Sequence, residues 1–293
     1  MKKFLKLVFE VMFYRITIYL IFLLTGYSSF SAVGLLKVLI PITELNKGFT
    51  NTFIVFYLFL PFLSILVRNL TEKQHVYLLM LCAFTYILMG SFAPILDVEF
   101  NYITWYTVLF FIASYIRLYP KNIFNKTKIW GFLTLFLVMI GIITVFICTW
   151  FGVRIGKFSP YCFLGESNRL LAVVVAISAF LFFKNLKIKA NSFINTVAAS
   201  TFAVLLIHSN SSTMRTWLWK DIMRCLEAYN YGWVYLHAIG CVCVIFVACI
   251  IIDYIRIHLI ENPLMNIFDK KINSIVTKYK KIETKIFEKF SID

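Results

Sequence analysis

His208 lies in the stretch Leu205-Leu206-Ile207-His208-Ser209-Asn210, at the end of a long apolar run. A neutral imidazole titrates close to physiological pH, so it is the simplest base for taking a proton from a hydroxyl. Arg215 follows within two helical turns and could hold negative charge; Asn210 adds an amide. Glu166 and Arg169 stand three residues apart where another apolar run begins. A base, a carboxylate and two guanidiniums could together line a polar pocket. Two plainer roles fit the same residues. A histidine at a helix C-terminus complements the helix dipole, and Glu166 with Arg169 makes an i,i+3 surface pair.

Glu10 and Arg15 are charges inside the first apolar run, where an ionisable group raises the question of function by default. They are five apart and fall on different helical faces, whereas Lys6 and Glu10 are four apart and are expected to pair. Arg15 then needs a partner from another helix, a wet cavity, or a route for its head group to reach the interface. Asp253 precedes Arg256 by three and should pair with it.

The elements that position these residues are set by composition. Of 293 residues, 61% are hydrophobic and only 15% charged, whereas soluble domains sit near half apolar and a quarter charged. The apolar runs are continuous and not alternating, so the expected fold is all-α, a polytopic transmembrane helix bundle, and not a barrel. Eight segments approach the ~20 residues that a bilayer requires: Phe4–Leu24, Phe49–Val67, Val76–Ile95, Tyr102–Leu118, Ile129–Phe151, Ser167–Phe183, Phe193–Ile207 and Trp233–Ile257. With the N-terminus in the cytoplasm, twenty basic residues fall inside and eight outside, and Arg15 within a span completes the 29. Positive residues favour the cytoplasmic side, so both termini are expected there and the number of spans is even. The six Trp fall at predicted span ends, as an interfacial belt would place them.

Residues 1–263 read as the membrane domain and 264–293 as a basic tail. Phe268, Ile272, Ile275, Tyr279, Ile282, Ile286 and Phe290 recur at spacings of three and four, with lysines between them. That pattern predicts an amphipathic helix on an anionic leaflet, or else a short coiled-coil strand. The net charge of +15 is therefore ascribed to membrane sidedness and not to nucleic acid. Seven Cys, an odd number with no C-x-x-C, indicate neither a disulfide framework nor a metal site. Cys241 and Cys243 point to different faces of one helix and cannot form a metal pair by themselves. Lys2 and Lys3 imitate a signal-peptide start, but Glu10 and Arg15 interrupt the apolar stretch, so a retained helix is expected.

The stretch Asn185–Lys220, NLKIKANSFINTVAASTFAVLLIHSNSSTMRTWLWK, resembles the late transmembrane region of the acyltransferase 3 family, with its basic loop, its helix ending in "L-I-H" and its polar turn before a Trp- and Arg-rich segment. Tyr57–His75, YLFLPFLSILVRNLTEKQH, and Ile112–Pro120, IASYIRLYP, resemble two earlier pieces of that family in the same order. Departures are also present. Ala203, Leu205 and Ser209 replace residues usual there, and none of His75, His208, His237 and His258 lies in the first span. The family's first-helix His therefore has no counterpart, and the chain aligns as if it began at the family's third span.

The resemblance implies an integral membrane O-acyltransferase of a bacterial inner or cytoplasmic membrane. An acyl group, most simply acetyl, would pass from acyl-CoA to a hydroxyl of a surface glycan or a lipid-linked sugar. Acyl-CoA would be a co-substrate, with no resident cofactor and no metal. The expected substrate-binding set is Arg15, Glu166, Arg169, His208, Asn210 and Arg215, with His208 as the available catalytic base. Two alternatives stand beside it: a non-catalytic partner of an intact acyltransferase, and a glycan-precursor transporter. The lipid bilayer is the constant partner, and the oligomeric state, a homo-oligomer included, is left open.

Overall fold

The computed structural model describes residues 2–40, 49–91, 101–155, 159–230 and 232–267. The described residues are helical and form α1 (Lys2–Leu24), α2 (Ala32–Leu39), α3 (Phe49–Asn69), α4 (Glu72–Cys82), α5 (Tyr102–Leu118), α6 (Thr127–Ile155), α7 (Leu170–Lys184), α8 (Ser192–His208), α9 (Ser212–Thr216), α10 (Cys225–Asn230) and α11 (Val234–Arg256). The tail expected to be amphipathic lies, from 268 on, outside the described residues.

A helix forms in each of the eight apolar segments, but not all are long enough to cross a bilayer. Five are, counting the continuations of α4 to Ser91 and of α11 to Ile267. A sixth arises if α8 and the segment Ser212–Ile222, which are bent 95° apart, serve as one broken span. The helices α5 and α7 are shorter apolar helices. Length and composition thus make this a multi-pass membrane protein with five or six candidate spans.

Polar residues define the helix starts. Thr71 Oγ1 accepts from Gln74 N while Gln74 Oε1 accepts from Thr71 N, a reciprocal cap that starts α4 at Glu72. Asn101 caps α5 and Asn191 caps α8, each accepting the N–H two residues on at 2.8 Å. Three helices run on through π-turns, at Ala83–Leu88, Trp217–Ile222 and Ile257–Glu261. Such turns widen the i→i+4 ladder to i→i+5, so residues five apart can meet.

The chain divides into two compact units, residues 1–8 with 40–189, and residues 9–39 with 190–293. In the first unit Val67, Cys82, Ile87, Trp105, Val108, Phe111 and Val173 form a core contributed by α3, the α4 segment, α5 and α7. Trp105 is therefore a core residue, 4% exposed, and not a member of an interfacial belt. His75 is fully buried there. Its Nε2 donates to the Phe111 carbonyl at 3.1 Å, and its ring meets the Tyr115 and Tyr119 rings nearly at right angles.

In the same unit, Glu166 and Arg169 pair at 2.9 Å. Arg169 also donates to the Gly90 carbonyl, Asn168 Nδ2 donates to the Tyr86 carbonyl at 3.0 Å, and Leu170 N donates to Ser91 Oγ at 2.8 Å. These residues tie the start of α7 to two carbonyls and a hydroxyl of the α4 segment. The expected i,i+3 pair is present, but Arg169 is buried in this joint. Gly90 is required for it, because a Cβ there would overlap the Asn168 side chain.

Candidate functional site

In the second unit, α1 from Phe9 onward and α11 carry a buried cluster of charges. Arg256 is its centre. Its Nε donates to Asp253 Oδ1 at 2.7 Å and its Nη1 to Glu261 Oε2 at 2.6 Å. Nη2 lies 3.5 Å from Glu10 Oε1. Tyr14 OH donates to the same Asp253 Oδ1 at 2.7 Å. The side chains of Arg256, Asp253 and Glu261 are at most 2% exposed.

Local structure explains each member. Glu10 and Tyr14 are four apart and share one face of α1. Asp253 and Arg256 share one face of α11 at i,i+3. Glu261 is five beyond Arg256, a spacing that an α-helix places on another face. The π-turn Ile257–Glu261 brings it back. In a low-dielectric interior such groups persist only with close partners. Asp253 Oδ2 is buried and has no hydrogen-bond partner among the described residues.

Tyr14 and Arg256 also form the polar end of a cavity of about 520 Å³. Thr17, Thr25 and Tyr27 add hydroxyls, and the rest of the wall is apolar. Ile18, Ile21 and Phe22 come from α1, Ile207 from α8, Met214 and Trp217 from the segment after it, and Ile252 and Ile255 from α11. Along α1 the lining runs from Phe13 to Thr25, twelve residues of helical rise or about 18 Å. Phe22 packs edge-on against Trp217 at 5.7 Å. Tyr27, also a wall residue, donates to Asp221, which holds its phenol above the usual range.

The residues singled out from sequence fall in both units. Glu166 and Arg169 belong to the joint described in the first. Arg15, His208, Asn210 and Arg215 belong to the second. Arg15 Nη1 donates to the Lys37 carbonyl at 3.3 Å, so α1 finds a partner in the short helix that follows it. His208 is half-buried, and its Nδ1 lies 2.5 Å from the Val204 carbonyl. A carbonyl only accepts, so Nδ1 carries the proton and Nε2 carries the lone pair. Asn210 Nδ2 donates to the Leu206 carbonyl at 3.1 Å, and Arg215 is exposed. His208 and Arg215 flank in sequence the cavity residues Ile207 and Met214.

Sequence reasoning found the Asp253–Arg256 pair but gave it no role in a site. It assigned nothing to Tyr14 or Glu261. The pairing of Glu10 with Arg256 joins residues 246 positions apart and has no local signature. No protein-family profile, no curated protein and no solved structure matches this chain.

Proposed function

We propose that the protein is an integral membrane O-acyltransferase that uses the cavity in its second unit to hold a hydrocarbon chain. The observation that supports it most is that cavity, lined mainly by apolar side chains between Phe13 and Thr25 and bearing Tyr14 and Arg256 on its wall. Its volume far exceeds what an acetyl group needs. The occupant is therefore the tail of a long-chain acyl donor or the lipid portion of a lipid-linked acceptor. A chain moving from bilayer to an apolar wall gains little hydrophobic free energy, because lipid is as apolar as the wall. Selection then rests on shape and on the polar groups at the ends.

In this reading the chain crosses a bacterial cytoplasmic membrane about eight times, with α5, α7 and the bent α8 segment completing the count and both termini inside. The sorting of basic residues supports that orientation. His208 Nε2 takes the proton of the acceptor hydroxyl as the oxygen attacks the thioester carbon. The C–S bond breaks, the CoA thiolate leaves, and the proton passes from His208 to that sulfur. Arg215, seven residues further on, offers cationic stabilisation, and acyl-CoA supplies the acyl group from the cytoplasm.

The test is transfer by the purified chain in nanodiscs. Radiolabelled acetyl-CoA and palmitoyl-CoA are offered with free glycan and with a lipid-linked sugar. Ester formation that falls ~10²–10⁴-fold in His208→Gln is expected. Blockage of the cavity by Ile18→Trp should raise KM for the partner bearing the long chain and not for the other. Binding of a hydrocarbon probe without transfer from either donor would leave a non-catalytic partner. Movement of glycan across vesicles without acyl-CoA would leave a transporter.

A further inference from the structure

The second unit holds a group of side chains that the reaction above does not use. Cys225, His237 and Cys241 each offer one ligand atom, and these atoms all lie within 4.8 Å of one another. His237 and Cys241 are i,i+4 on α11 and therefore share a face. Cys241 Sγ lies 3.4 Å from His237 Nδ1 and 3.6 Å from Nε2. The Cys225 Sγ lies within 4.8 Å of both ligand atoms.

Two backbone reversals bring the third ligand in. Arg224 has φ 46° and Gly232 has φ 72°, so left-handed residues bracket α10 on both sides. They turn the short helix back on the head of α11, with Cys225 at its start. Cys241 is buried and the other two are half-buried. Cys243, two residues on from Cys241 and so on the opposite side of the helix, is exposed, as the sequence spacing predicts.

We propose that Cys225, His237 and Cys241 form a binding site for a soft d¹⁰ cation, with Zn²⁺ as the ion of reference. The geometry fits that chemistry. Tetrahedral Zn²⁺ with Zn–S about 2.3 Å and Zn–N about 2.0–2.1 Å sets sulfur and nitrogen about 3.5 Å apart. The Cys241–His237 separation is already at that value. Two thiolates and an imidazole select Zn²⁺ or Cu⁺ over Mg²⁺ or Ca²⁺, which need oxygen ligands. Three protein ligands leave the fourth position to water or another donor. On binding, both thiols lose their protons to solvent and two S–metal bonds form, with no change of oxidation state. The ion clamps α10 to α11. The site is independent of the acyl-transfer reading.

The experiment is metal titration of the full-length chain in detergent micelles, kept reduced with a phosphine that does not chelate. Zn²⁺ is measured by competition with a chromophoric chelator, and Co²⁺ by its thiolate-to-metal absorption in the near ultraviolet. Expected are binding of one equivalent and a charge-transfer band. Cys225→Ser, Cys241→Ser and His237→Ala should each lower affinity by more than the ~10–100-fold typical of an outer-shell partner. Cys243→Ser should change neither. Monodisperse elution of the ligand variants separates lost binding from lost fold. The proposal is overturned by the absence of stoichiometric binding, or by binding that all three substitutions leave intact. It is also overturned if mass spectrometry of protein isolated without reductant finds Cys225 and Cys241 joined as a disulfide.

Discussion

Replacing Arg256 by Met tests the buried cluster most directly. The substitution keeps much of the side chain's length and removes the charge. In the native protein one guanidinium contacts Asp253, Glu261 and Glu10. Its removal strands carboxylates whose side chains are nearly or fully buried. Losing one partner of a buried ion pair costs about 3–5 kcal/mol, chiefly because the other is left uncompensated. That is a rise in the unfolding constant between about 10² and 10⁴. Glu261→Gln should cost less, at or below the about 1.5–3 kcal/mol of one hydrogen bond to a charged group. It retains the shape and lowers the repulsion among the remaining carboxylates. The combined Arg256→Met, Asp253→Asn, Glu261→Gln variant should recover part of the single-variant loss, because two of the charges it would strand are gone. Equilibrium unfolding in mixed micelles, by SDS titration with Trp fluorescence, reads all three. An Arg256→Met loss under about 1 kcal/mol, or a Glu261→Gln loss equal to it, would refute the view of Arg256 as the hub.

Other outcomes follow from single sites. Gly90→Ala should destabilise by about 1–3 kcal/mol, since the added methyl overlaps Asn168; an unchanged thermal midpoint would contradict the close packing of that joint. Cys162, outside the spans, is pushed up to about 11 by burial and by Cys148, whose sulfur lies 3.3 Å away. Its thiolate fraction at pH 8 is then about 100-fold below that of an ordinary thiol, and alkylation should be slower in the folded chain than in SDS by a comparable factor. Because the folded pKa is raised, this thiol favours the folded state while it keeps its proton. That contribution is lost as pH rises from about 9 toward 11, and unfolding measured at pH 8 and 10.5 in native and Cys162→Ser protein checks the sign. Tyr27→Phe removes the bond to Asp221 at the cavity wall and should loosen hydrocarbon-probe binding while leaving the cluster intact, which the same micelle unfolding assay would show.

Where a feature depends on nearby residues, the sequence displays it. Continuous apolar runs give helices in all eight places, and Tyr102–Leu118 is bounded as expected because Asn101 caps it. The i,i+3 pairs Glu166–Arg169 and Asp253–Arg256 follow from helical periodicity alone. Boundaries shift where a polar residue competes. Thr71 and Gln74 start α4 four residues before the apolar run, and Asn168 and Arg169 leave the α7 segment to bond carbonyls of the α4 segment. What depends on three-dimensional convergence stays hidden. Glu10 meets Arg256 only after the chain has folded back. Glu261 reaches it only through a π-turn that no residue pattern announces. Likewise the spacing of His237 and Cys241 is visible as i,i+4, but Cys225 joins them only through the reversals at Arg224 and Gly232.

The cluster and the cavity are best understood together. A buried Arg among carboxylates is a poor way to gain stability, since well-packed apolar residues of similar volume often do as well or better. Inside a membrane the cost of an ionisable group is higher still, and such groups concentrate where a pathway or ligand is handled. Here the guanidinium faces three carboxylates, Asp253, Glu261 and Glu10, while Tyr14 and Arg256 remain part of the cavity wall. The carboxylates thus fix the direction of a cation at the end of an apolar cavity. A hydrocarbon chain would be gripped equally well without it; a chain ending in a neutral polar group would not, whereas three carboxylates around one guanidinium repel an anionic end. Methyl-terminated and hydroxyl-terminated probes of equal chain length should therefore differ in affinity in the native protein, and the difference should collapse in Arg256→Met. Equal binding of the two probes to the native protein would remove the polar end of the cavity from any role in recognition.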